Sequence, residues 1–165
     1  MSASKPDFTG FPRTIKASAE HGASQYQLAE GYFAVHGLPA AAGAALHFSP
    51  EKIAVYPIDR LAHVDAPYSR LTPAYSLGKG GGLAVPTGKV FVRLAADQKF
   101  AEREKSFRDA GYEIDQTLSY APNAGWLRSA SSSIGASLSA IDNLAAMPGV
   151  ENVEPQMLTK AARKS

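Results

Sequence analysis

The chain has 165 residues, a formal net charge of +2, 45% hydrophobic content and no cysteine. That length predicts one domain, or one domain with a small appendage, and enough apolar residues for a real core. A charge so near balance argues against nucleic acid as a partner, and the missing cysteines exclude disulfides, thiolate catalysis and Cys-ligated zinc. No apolar run approaches the roughly 18 residues of a membrane-spanning helix, so no membrane partner is expected. The first residues, Met1 to Phe8, lack the apolar stretch of a secretory leader. Localisation is left open, with the cytoplasm the simplest address if Met1 is the native start.

Residues 1–22 are polar and carry Pro6, Gly10, Pro12 and Gly22 without a sustained period. They read as a flexible arm. Residues 23–60 read as a small β-rich unit. Gln25 to Ala29 and Gly31 to Val35 predict two short strands around a Glu30-Gly31 turn, and Lys52 to Tyr56 a further strand halted by Pro57. The alanine-rich stretch from Leu38 to Leu46 is long enough for two helical turns, weakened by Pro39 and Gly43. Residues 61–87, with Pro67, Pro73 and glycines at 78, 80, 81 and 82, read as a linker.

From Lys89 the periods sharpen. Lys89-Val90-Phe91-Val92-Arg93-Leu94 predicts a central strand whose alternation places Val90, Val92 and Leu94 on one face, Phe91 and Arg93 on the other. Asp97 is placed to cap a helix from about Gln98 to Ala110, and Gly111 to end it. Tyr112 to Leu118 alternates as a half-buried strand, with Glu113 and Asp115 on its polar side. Trp126-Leu127-Arg128 begins the return strand. Trp126 fits either the core or the opposite face, with the core preferred. Serines 131–133 offer an N-cap to a helix carrying Ile134, Leu138, Ile141 and Ala145, which Pro148-Gly149 ends before a last strand, Val150 to Glu154.

The order βαββαβ over residues 88–155 predicts an α+β, ferredoxin-like open sandwich: a four-stranded antiparallel sheet with two helices on one face. Its other face is expected to stay bare. Residues 156–165 then form an extended basic tail.

Catalytic patterns are missing. The histidines at 21, 36, 47 and 63 make no helical metal pair. Gly82 to Lys89 has one residue too many for a phosphate-binding loop and leads into a strand where a helix is needed. Glu113 and Asp115 read as a solvated strand face, without a general-acid partner. No enzyme activity and no cofactor are expected.

Three segments, Lys89 to Leu94, Ala110-Gly111-Tyr112-Glu113-Ile114 and Ala145-Ala146-Met147-Pro148-Gly149-Val150-Glu151-Asn152-Val153-Glu154-Pro155, resemble the prosegments of subtilisin-like serine proteases. The likeness runs from about residue 88 to 159. It implies a module that docks its uncovered sheet face on two surface helices of the protease, inhibits it and assists its folding. It further implies that Met157, Leu158, Thr159, Lys160, Ala161, Ala162, Arg163 and Lys164 run as an extended strand into the substrate cleft. The implied sheet-face contacts are Phe91, Arg93, Glu113 and Asp115, the two carboxylates meeting helix N-termini of the enzyme. Two features depart from the family: no protease domain follows, and the tail is basic. The alternative is a non-inhibitory binding module that forms a homodimer through the same face.

Overall fold

The structure, a computed structural model, describes residues 8–19, 22–39, 42–78 and 82–159. Its strands are β1 (Thr14–Lys16), β2 (Gln25–His36), β3 (Leu46–Phe48), β4 (Ile53–Pro57), β5 (Leu71–Leu77), β6 (Leu83–Leu94), β7 (Tyr112–Thr117), β8 (Ala124–Ser129) and β9 (Val150–Thr159). The helices α1 (Glu104–Asp109), α2 (Ile134–Ser139) and α3 (Ile141–Ala145) are short. All nine strands belong to one antiparallel sheet ordered β3-β4-β2-β5-β6-β8-β7, with β1 added to β2 and β9 to β6. The expected ferredoxin-like sandwich of four strands and two helices is therefore incorrect. The protein is mostly β.

The difference originates in β6. On Pro67, Pro73 and the glycines at 78, 80, 81 and 82, residues 61–87 read as a linker, with the strand starting at Lys89. In the structure β6 already begins at Leu83 and passes through Gly88. Gly88 takes a φ of 93°, open to glycine at no steric cost, and the register against β9 shifts between Pro86 and Val90. The first half of β6 pairs with β5 through Tyr75 and Ala84, and its second half pairs with β8 from Val90 to Arg93. Far from being a linker, 61–87 supplies β5 and half of β6, and these join the strands of 23–60 to those of 88–155.

Other expectations fail for local reasons. Glu30-Gly31 makes no turn: β2 is one twelve-residue strand whose pairing with β5 shifts between Ala29 and Phe33. The Leu38–Leu46 stretch shows no helix among its described residues; Gly43 has a φ of 91°, and Leu46 already opens β3. Asp97 caps nothing, because a 3₁₀ turn over Phe100–Arg103 precedes α1, although Gly111, with a φ of 94°, does stand at its end. Ser133 caps α2, its Oγ accepting the Ala136 N–H at 3.1 Å. The helical stripe beyond it breaks at Ala140 into α2 and α3.

Three cores hold the sheet. On one face Val90, Val92 and Leu94 meet Phe100, Phe107, Leu138, Ile141 and Leu144, joined by Ile15 and Tyr75 from the first half of the chain. A smaller cluster of Phe33, Val35, Ala54, Tyr56 and Leu71 sits among strands β2, β4 and β5. The third gathers Ala34, Val55, Ala74 and Val85, with Leu46 and Phe48 of β3 and Leu158 of β9 packed against it. This cluster runs across neighbouring strands from β4 to β6, with β3 packed at one end and β9 at the other. Each large apolar side chain so buried contributes about 1.5–3 kcal/mol before entropy is subtracted.

Candidate docking face

Side chains alternate along a strand, so β6 and β8 must send every second residue away from the core they cover. Val90, Val92, Leu94 and Leu127 enter that core; Phe91 and Trp126, paired directly across the two strands, project from the opposite face. Their rings meet edge to face, with centroids 5.3 Å apart. Both are half-buried, and neither is a member of any of the three cores. The preferred reading of Trp126 as a core residue is thus corrected. Across the sheet the pair is flanked by Glu154 of β9, opposite Phe91, and Gln116 of β7, opposite Trp126.

Charged residues rim the rings. Arg93 is exposed, 3.8 Å from the Glu151 carboxylate. Glu113 accepts a hydrogen bond from Arg128 Nε at 2.6 Å, and Asp115 lies 3.3 Å from Lys89 and 3.6 Å from Arg128. A register shift between Ile114 and Gln116 makes Asp115 the extra residue of β7. Of the residues expected here, the structure brings Phe91, Arg93, Glu113 and Asp115 to one end of the sheet. The two carboxylates, however, are paired with cations of their own chain. The Arg128–Glu113 and Arg93–Glu151 pairs are exposed on both sides, worth about 0–1 kcal/mol each and readily exchanged for other partners, whereas the Asp115 side chain is only 15% exposed.

On the β9 side the face has a margin. Asn152, 5% exposed, accepts the Ala19 N–H at 2.9 Å, and the Tyr26 phenol is pushed up by burial and then by Glu154. Segments of the first half thus border the face there.

The expected tail does not leave the sheet where it was placed. Met157, Leu158 and Thr159 belong to β9 and pair with Pro86, Val85 and Ala84. Met157 packs against the helix-covered core and Leu158 against the third cluster. The alternation that made Val150 to Glu154 a strand simply continues through Pro155. Lys160, Ala161, Ala162, Arg163 and Lys164 lie outside the described residues, as does His21. Among the described residues no group of three or more His, Asp or Glu is placed to hold a metal. His36 bonds to Thr72 Oγ1 at 2.8 Å, away from the face.

Trp126, Lys89 and Arg128 were not among the sheet-face contacts expected from sequence. The signal that would have found them is cross-strand register: once Val90 stands opposite Leu127, Phe91 falls opposite Trp126.

The chain matches no family model, no curated protein and no solved structure.

Proposed function

We propose that this chain is a non-catalytic protein-binding module that docks through the sheet face carrying Phe91 and Trp126. The observation that carries this reading is that aromatic pair, set outside every core on a face rimmed by exchangeable ion pairs. Two large rings at the centre of a patch, with charges around them, match the anatomy of binding hot spots, where aromatic anchors dominate and a polar rim excludes water. A subtilisin-like serine protease is the partner favoured by the likeness of residues 145–155 to the prosegment ending. In this reading the face, and not a substrate-like tail, makes the contact, because Met157–Thr159 are held in β9. Self-association through the same face is the second reading. It is favoured by the patch carrying both charge signs, which lets one surface complement a copy of itself.

The test is titration of a panel of subtilisin-like proteases with the wild-type chain and with Phe91→Asp, alongside sedimentation velocity of each protein alone. A buried carboxylate in place of an aromatic anchor costs about 2 kcal/mol or more, so binding is expected to weaken at least thirtyfold. The fold is expected to be retained with a lowered thermal midpoint, since Phe91 belongs to no core but packs on Trp126 and stands opposite Glu154. Concentration-dependent sedimentation lost in the variant selects self-association. A wild-type chain that stays monomeric and binds no protease contradicts both readings.

A further inference from the structure

A second feature lies beside the aromatic pair and does not depend on it. Between its pairings with β5 and β8, strand β6 leaves a gap, and at the β8 end of that gap sits a cavity of about 210 Å³. That is several times the roughly 30 Å³ share of a water molecule. Gly88, Lys89, Asp115, Arg128, Ser132 and Ser133 are among its lining residues.

Three separate backbone irregularities converge on this one space. The β6 bulge sets Gly88 at a φ of 93°; the β7 irregularity brings Asp115 in; and Ser132 adopts a φ of 63°, a left-handed conformation unfavourable for a residue with a Cβ. The donors here are also under-used. Lys89 and Arg128 both lie within 4 Å of Asp115, which brings like charges near one another. Asp115 bridges them only at 3.3 and 3.6 Å, longer than the 2.7–2.9 Å of a good charge-assisted bond. Arg128 gives Nε to Glu113 at 2.6 Å, and its side chain remains 55% exposed. Two cations and one carboxylate line the cavity, while Glu113, outside it, holds Arg128.

We propose that this cavity is a binding site for a small oxyanion, a carboxylate or a phosphate, held by Lys89 and Arg128. The planar guanidinium offers the fork that two oxygens of such an anion accept, and the ammonium offers a point charge beside it. Ser132 and Ser133 stand on the other wall with their hydroxyls, the Ser132 N–H being already given to Ser129 O at 3.0 Å.

The test is a ¹H–¹⁵N NMR titration of the full chain with sodium phosphate and, separately, sodium acetate, each against sodium chloride at matched ionic strength. Saturable shifts are expected at the amides of Gly88, Lys89, Ser132 and Ser133 with one anion or both, and a flat chloride control. The anion that saturates at lower concentration identifies the ligand class. R128Q is expected to weaken the response about tenfold, and K89Q to weaken it less, with the remaining spectrum unchanged. Shifts no larger than those in chloride, or centred elsewhere on the molecule, or undiminished in both variants, would overturn the assignment. The wild-type titration decides the point even if a variant folds poorly.

Discussion

At the scale of single residues, the most informative side chain outside the proposed docking face is His36. It is largely buried at the end of β2 and bonded through Nε2 to Thr72 Oγ1. Burial, and then the Arg70 guanidinium, lower its pKa from 6.5 to about 4. The folded protein therefore resists a proton that the unfolded chain accepts readily. Stability from this group is fully present above the unfolded value near 6.5, falls as pH drops from there toward 4, and is constant below. The loss between pH 7 and pH 5 is about 2 kcal/mol. Urea denaturation at these two values measures it. His36→Gln is expected to flatten this part of the profile while leaving the rest of the acid titration in place. A wild-type profile already flat over that range would show that the ring is solvated.

At the scale of elements, β9 carries the sharpest consequence. Its last residues pin the strand to β6 and serve two cores from alternate sides, Met157 on one face and Leu158 on the other. Deleting residues 156–165 strips these contacts and uncovers Ala84 to Pro86. The expected cost is about 2–5 kcal/mol of folding free energy, read from the denaturation midpoint at unchanged cooperativity. A free tail with no structural part predicts no change, so the same deletion separates the two descriptions.

Much of this level was legible in the sequence. The alternation of Val90-Phe91-Val92-Arg93-Leu94 gives the facing of β6, because a period of two admits one solution once either face is apolar. A cap among serines 131–133 was readable because a serine before a helix satisfies a free N–H, and the structure selects Ser133. What stayed hidden depends on partners distant in sequence. Nothing in Pro86-Thr87-Gly88 tells whether a chain stops or bulges; that is settled by the neighbouring strands, β5 and β9, which supply ladder partners on either side of the glycine. The shift at Asp115 was equally hidden, since a bulge leaves composition unchanged. The aromatic pair was half legible: Phe91 from its own strand, Trp126 only after the register with β8.

At the scale of the whole molecule, one sheet crosses from the first half of the chain to the second, and its largest core takes Ile15 and Tyr75 together with Val90 and Leu144. The scaffold under Phe91 and Trp126 is thus braced by both halves, with the helices of residues 134–145 beneath it and segments near Ala19 and Tyr26 at its margin. Such a rigid backing suits a surface that binds without rearranging, the usual behaviour of preorganised interfaces. Trp126 is the single tryptophan of the chain and stands at the centre of the proposed contact. Incorporating 5-fluorotryptophan therefore places one ¹⁹F reporter there. As a subtilisin-like protease is titrated in, or as the chain's own concentration is raised, the resonance is expected to move and to lose its solvent-isotope shift in step with complex formation. A resonance that stays in place and keeps its isotope shift throughout both titrations would contradict the claim that this face is where the molecule meets its partner.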